Sequence, residues 1–443
     1  MKHAVTSLAL AALLTGSSIA QESAADRGHK SLTSRAFTPA TWPVAAYDSL
    51  WKHWDPALTE KPADYDRAVR GHYGLHRAPY ENGRYPMGLR EAKGIFGKGI
   101  TSDCMLCHAS SILGKSYVGL GNSTLDIHAL FDDLNKASGR TGKLPFTFCN
   151  VRGTSEAAGF AVFLLSLREP DLRVRLTRHD FPLRDDLCED APAWWLLKKK
   201  QTMYHTGTAD ARSVRSIMQF MLSPLNSRAV FEKEEATFAD IRAYLVSIEP
   251  PSWPFPIDAA KAAKGEKLFV DNCARCHGTY GKEATYPNKI VPLDKIGTDR
   301  NRHDGIPPGV GELYNKSWFA LEKDGGYKTT EPKGYQAPPL DGIWATAPYF
   351  HNGCAPTLYD VLNSKTRPKL FTRSYRTDAE DYDNVKVGWK VKTLDRIPEG
   401  LSPFERRKIY DTTQPGRSNA GHTFGDDFTE EERAAVVEYL KKL

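Results

Sequence analysis

Cys104-Met105-Leu106-Cys107-His108 recurs as Cys273-Ala274-Arg275-Cys276-His277, and the architecture follows from this repetition. Two thiols three residues apart can each add to a vinyl group of one porphyrin, and the adjacent imidazole then lies under the ring as the proximal iron ligand. Both pentapeptides therefore read as attachment sites. The expected cofactors are two covalently bound haem c groups, held through Cys104, Cys107, Cys273 and Cys276, with His108 and His277 on the irons. A zinc site would need a second ligand pair spaced for tetrahedral coordination, and neither motif is accompanied by one.

The start of the chain says where this chemistry takes place. Lys2 and His3 precede an apolar run from Ala4 to Leu14, and Ser18-Ile19-Ala20 supplies the small residues of a cleavage site, so residues 1–20 read as a signal peptide. No cysteine follows that point to carry a lipid, and no later stretch is apolar for long enough to span a bilayer. The expectation is a periplasmic or secreted protein. Its length of 443 residues allows two or three domains. The formal charge of +6 counts Lys2 and omits the haem carboxylates, so no nucleic-acid partner is inferred, and Lys198-Lys199-Lys200 reads as a solvated helix face. Three cysteines remain: Cys149 and Cys188 are candidates for a disulfide, while Cys354 reads as a small buried apolar residue.

Residues 21–90 place Trp42, Trp51 and Trp54 with several tyrosines among prolines and glycines, with little helical periodicity. They read as an aromatic-rich N-terminal extension packed on the first haem domain, or alternatively as a substrate surface. A first domain over 91–250 closes with a helix starting at Thr237 and Asp240 and carrying Ile241, Tyr244, Leu245 and Ile248. Pro250-Pro251-Ser252-Trp253-Pro254 ends it. A second domain over 255–443 opens with a helix from Ala262 to Cys273, with Gly265 and Phe269 on one face. It closes with a helix whose capping box is Thr429 and Glu432 and whose apolar stripe is Val436, Val437, Tyr439 and Leu440. The fold class is mainly α: two class I cytochrome c-like domains with long irregular loops and the N-terminal extension.

The sixth ligand decides what each iron can do, since a filled site transfers electrons and an open one binds oxygen or peroxide. No methionine follows Met221, which leaves His303, His351 and His422 for the second haem. His422 lies in the glycine-flanked loop Ser418-Asn419-Ala420-Gly421-His422-Thr423-Phe424-Gly425 and is favoured. His351 reads as a turn histidine bonded to backbone or propionate. For the first haem His128, His179, His205, Met203, Met218 and Met221 are all candidates, none in a comparable loop, and the Met218/Met221 stripe reads as core.

Several segments together resemble the dihaem family of the bacterial rubber oxygenases, itself related to the dihaem cytochrome c peroxidases. They are Gly119-Leu120-Gly121-Asn122 with Leu125-Asp126, Pro192-Ala193-Trp194-Trp195 through Lys200, Ile296-Gly297-Thr298-Asp299, Ala337 to Trp344, Ala347 to Gly353 and the His422 loop. The resemblance implies a first haem with an open or oxygen-bearing distal face and a second held by His277 and His422. Trp194, Trp195 and Phe220 are candidates for its pocket aromatics. The methionine-ligated second haem of the peroxidases has no counterpart here, and the chain is shorter than the polymer-cleaving members. The implied function is electron transfer coupled to oxygen or peroxide activation at the first haem, with a redox protein or small donor as partner and an organic substrate. The alternative is a pure electron carrier with both irons six-coordinate.

Overall fold

The computed structural model describes residues 21–95, 97–322 and 326–443; residues 1–20, read from sequence as a signal peptide, lie outside the described residues. The chain is helix-rich with short strands. The longer helices are α1 (Ala24–Ser34), α2 (Tyr65–Tyr73), α3 (Ile127–Ala137), α4 (Ala157–Ser166), α5 (Arg228–Ser247), α6 (Ala259–Asn272) and α7 (Glu430–Leu440).

Two helix pairs frame the molecule, α1 on α5 and α6 on α7. Each crosses at a glycine. A Cβ on Gly28 would sit 2.0 Å from the Asp240 carbonyl oxygen, and one on Gly265 would sit 1.9 Å from that of Ala435, so only a bare Cα lets the backbones meet. Ser23 with Asp26 and Thr429 with Glu432 form full capping boxes at the starts of α1 and α7. Arg27 adds a bidentate pair to Asp240 on α5.

The region 21–90 is more helical than its sequence suggests, since α1, a short helix Val44–Ser49 and α2 fall within it. Its aromatics are mostly core: Trp42, Tyr47, Tyr65 and Tyr73 are buried with Leu106 of the first motif and with Leu130 and Phe131 of α3. The helix read from Thr237 starts earlier, at Arg228. The cap signal at Thr237 with Asp240 misplaces its start, because Phe231 and Glu234 are already buried on the same helix.

Short antiparallel sheets fill the loops. β1 (Trp42–Pro43), β2 (Leu89–Gly94) and β3 (Gly97–Ser102) are ordered β1-β3-β2, and β4 (Ala109–Ile112) pairs with β5 (Lys115–Val118) directly after the first motif. A third sheet, from β6 (Leu370–Thr372), β7 (Lys392–Thr393) and β8 (Ile409–Asp411), is ordered β7-β6-β8. The segment around this sheet clasps the N-terminal half. Arg407 pairs with Asp126, whose side chain is 0% exposed and whose Oδ1 caps α3. Arg152 N donates to the Arg407 carbonyl at 2.8 Å.

Cys149 and Cys188 are free thiols and do not form the disulfide considered from sequence. The Cys149 sulfur turns to Asp126, whereas that of Cys188 faces Thr154, so each is held in a different packing layer. Cys354 is buried beside Val151, Phe371 and Tyr410. Among the described residues no helix is long and apolar enough to cross a membrane.

Candidate functional site

Each pentapeptide is a single helical turn, with His108 N bonded to the Cys104 carbonyl and His277 N to that of Cys273. Residues three apart share a helix face, so both thiols of a turn point one way. All four thiols are free, as addition to a vinyl group requires. The histidines are then fixed by prolines. His108 Nδ1 lies 3.0 Å from the Pro192 carbonyl and His277 Nδ1 lies 2.8 Å from that of Pro338. A carbonyl only accepts, so each Nδ1 carries the proton and each Nε2 presents its lone pair. Burial pushes His108 down to about 4 and lowers His277, which keeps both rings neutral.

Beside the second motif is a cavity of about 250 Å³. Cys273, Cys276 and His277 line it together with an apolar wall that includes Phe269, Leu340, Leu358, Leu362, Val436 and Leu440. His422 lines it as well, its ring centre 6.3 Å from that of His277. An axial imidazole stands with its nitrogen about 2 Å from a metal and its ring centre roughly 1 Å beyond, so two rings sharing one ion face each other across about 6 Å. The donor set and the spacing fit an iron porphyrin. Burial pushes His422 down to about 4, so it too is neutral, and its Nδ1 is buried without a hydrogen-bond partner.

The loop that brings His422 there is held by its backbone. His422 has φ +45 and Gly421 φ +76. His422 N donates to the Ile296 carbonyl at 2.7 Å, and a Cβ on Gly421 would lie 2.2 Å from the Gly297 carbonyl carbon. Arg367, buried, donates to the carbonyls of Asn419 (2.7 Å), Gly421 (2.6 Å) and His422 (3.1 Å). Asn352 donates to Gly416 and Ser418, and Ser418 N donates to Asp299. The 296–299, 347–353 and 418–425 segments, far apart in sequence, thus converge on one loop. Arg367 carries no motif and was not singled out by sequence; the proline carbonyls are backbone groups with no side-chain signal.

His351 lines the same cavity without facing His277, and His303 lies outside it. The His351 ring stacks on Tyr335 at 4.3 Å and stands 6.1 Å from His205, while His303 Nδ1 is taken by Asp304. His205 therefore faces the second cavity and not the first motif. Around the first motif, the Trp194 indole stacks on His108 with ring centres 5.2 Å apart. Trp195 turns the other way, donating Nε1 to the Asp341 carbonyl in the C-terminal core. Phe220 packs against Phe238, and Met218 and Met221 are fully buried in the same core. His76 is committed to Ser110, Ser111, Asn122 and Thr124. Among the described residues no imidazole stands opposite His108 as His422 does opposite His277.

A cytochrome c family model matches residues 262–352, spanning the second motif and the Pro338 segment. The second half holds a cytochrome c domain. Covalent haem c is the cofactor that such a domain implies. A model described as RoxA-like, cytochrome c-like matches residues 334–372, which begins beside Pro338 and runs through Arg367 of this domain. The chain is similar to the uncharacterized protein y4iM of Sinorhizobium fredii, 33% identical over 205 residues, covering 40% of this chain and 44% of that protein. It is 28% identical over 263 residues to y4iJ of the same organism, 44% of this chain and 41% of that one. It is 27% identical over 117 residues to hydrazine synthase subunit gamma of Kuenenia stuttgartiensis, 24% and 33% respectively. The chain spans less than half the length of the curated relatives it matches.

Proposed function

We propose that the chain is an exported dihaem c-type cytochrome in which the second haem relays electrons and the first activates oxygen or peroxide for an organic substrate. The observation that carries this is the asymmetry between the two histidines: His277 has His422 across from it at 6.3 Å, and His108 has no such counterpart among the described residues. Each half would be a class I cytochrome c domain, the first framed by α1 and α5 and the second by α6 and α7. Haem c, when bound, supplies one-electron chemistry, and an open axial position adds oxygen or peroxide binding.

The chain's own residues do the rest. Cys104, Cys107, Cys273 and Cys276 would hold the porphyrins, and the Pro192 and Pro338 carbonyls orient His108 and His277. His422 would be the second imidazole toward the second iron. Trp194 would shield the His108 ring, and Cys104 packs against the hydrophobic core that holds Met105 and Met218, which favours exclusion of water from that side. Electrons come from a redox protein or a small donor outside the membrane.

Mixing the reduced protein with carbon monoxide tests the asymmetry: the gas should bind half of the haem, because only an open ferrous iron takes it readily. Stopped-flow mixing with oxygen, and of the resting protein with peroxide, should then perturb the same haem. Absence of all three responses would leave an electron carrier with both irons six-coordinate.

A further inference from the structure

The lining of the second cavity is not apolar throughout. Opposite in character to the wall that includes Cys273, Phe269 and Leu358 is a polar group from the 190–205 and 335–351 segments: Lys200, Tyr204, His205, Tyr335 and His351. Three of them are linked through Asp190 and by stacking. His205 Nε2 bonds the Asp190 carbonyl at 3.0 Å, Asp190 N donates to the His351 carbonyl at 2.7 Å, and Tyr335 lies flat on His351.

Two donors in this group have nothing to donate to. His351 is 8% exposed and its Nε2 is buried without a partner. The Lys200 ammonium makes no hydrogen bond or ion pair among the described residues, although its neighbour Lys199 is paired with Asp341. Burial alone lowers Lys200 to about 8. A half-buried ammonium on a cavity wall with no anion beside it is poorly compensated, and a buried imidazole nitrogen with no partner is costly. Both would be satisfied by an acceptor that enters the cavity.

A haem c has two such acceptors. Its vinyl edge is fixed to the cysteines, so its two propionates leave from the opposite edge and need donors there. Resting on the reading that a haem occupies this cavity, we propose that Lys200 and His351 are the donors that receive the propionate carboxylates of the second haem. This gives His351 a role as a haem-binding residue distinct from iron ligation. It also makes the N-terminal half a direct contributor to the second haem site, through Lys200.

Resonance Raman spectra of the haem-loaded protein test it through the propionate bending bands. Lys200→Met and His351→Phe should each move one band to lower frequency while the low-spin marker bands stay in place. Lys200→Arg should leave the bands near their original positions. The midpoint potential of the low-spin haem should also fall in Lys200→Met and hold in Lys200→Arg, because removing a cation favours the ferric form. Propionate bands unmoved in both variants, with low-spin haem retained, would overturn the proposal. If Lys200→Met loses haem, retention in Lys200→Arg supports it; equal loss in both, with the bands of His351→Phe unmoved, overturns it. A wild-type protein with no low-spin haem would instead defeat the underlying pairing of His277 with His422.

Discussion

His422 is a non-glycine residue held at φ +45, a conformation that costs free energy unless its surroundings insist on it. Here the insistence comes from Arg367, whose guanidinium gathers three carbonyls of the loop. Replacing His422 by Ala should convert the low-spin haem to a high-spin or solvent-ligated form, whereas His351→Ala should leave the spin state as it is; visible and electron paramagnetic resonance spectra report both. A larger effect at His351 would reverse the assignment. His422 was legible because no methionine follows Met221 and glycines flank it. Arg367 was not, since a residue that binds only backbone carbonyls has the same one-letter signature as any surface arginine. Glu156 is a second buried device. It accepts from Leu187 N and Cys188 N, and burial raises its carboxyl to about 8. Its unfolded value is near 4.3, so the folded state holds a proton that the unfolded state has released between these limits. The stability this gives is complete below the lower value and is lost as pH rises through the upper one, by on the order of a few kcal/mol at most. Melting curves at pH 5 and pH 8 should show the decline in the wild type and a flatter profile in Glu156→Gln.

The helix pairs place the greatest demand on single small residues. A methyl group on Gly28 or Gly265 would overlap a carbonyl of the partner helix, so Gly28→Ala and Gly265→Ala should each force the helices apart. The loss should be roughly 1–3 kcal/mol or more, read as a lowered midpoint in urea, and Gly71→Ala, with open space around it, serves as the control. The pairing of α6 with α7 was visible in sequence because α6 runs straight into Cys273 and its glycine stands in register with the motif. The matching role of α1 was hidden. Some seventy residues of strand, turn and aromatic core separate it from Cys104, and a helix detached from its motif looks like part of an unrelated extension.

Pro250 to Pro254 does end a helix, but contacts do not stop there. The segment carrying β6 to β8 reaches back onto α3 through Arg407 and Asp126, and Ala191 and Ala193 help to line the C-terminal cavity. Arg407→Met leaves Asp126 buried and unpaired, which should cost about 3–5 kcal/mol and show as a lower melting temperature with both haem motifs intact. Sequence periodicity locates helices but says little of such long-range pairs, because the irregular segments that make them have no period. Mass spectrometry of the mature protein should find two haem additions, one of which disappears when Cys273 and Cys276 are both replaced.

The strip from Ala191 to His205 also sets an order of events. The chain is made from its N-terminus, so Pro192, Lys200 and His205 exist before Cys273 does, and the Gly421–His422 loop and α7 arrive last. A haem joined to Cys276 at that stage would meet a half-built shelter, one wall waiting and the other still to come, and its iron would stay accessible until the His422 loop and α7 fold over it. On the proposed dihaem reading, the second site would be completed by the Gly421–His422 loop and α7 and begun by the half that holds the first motif.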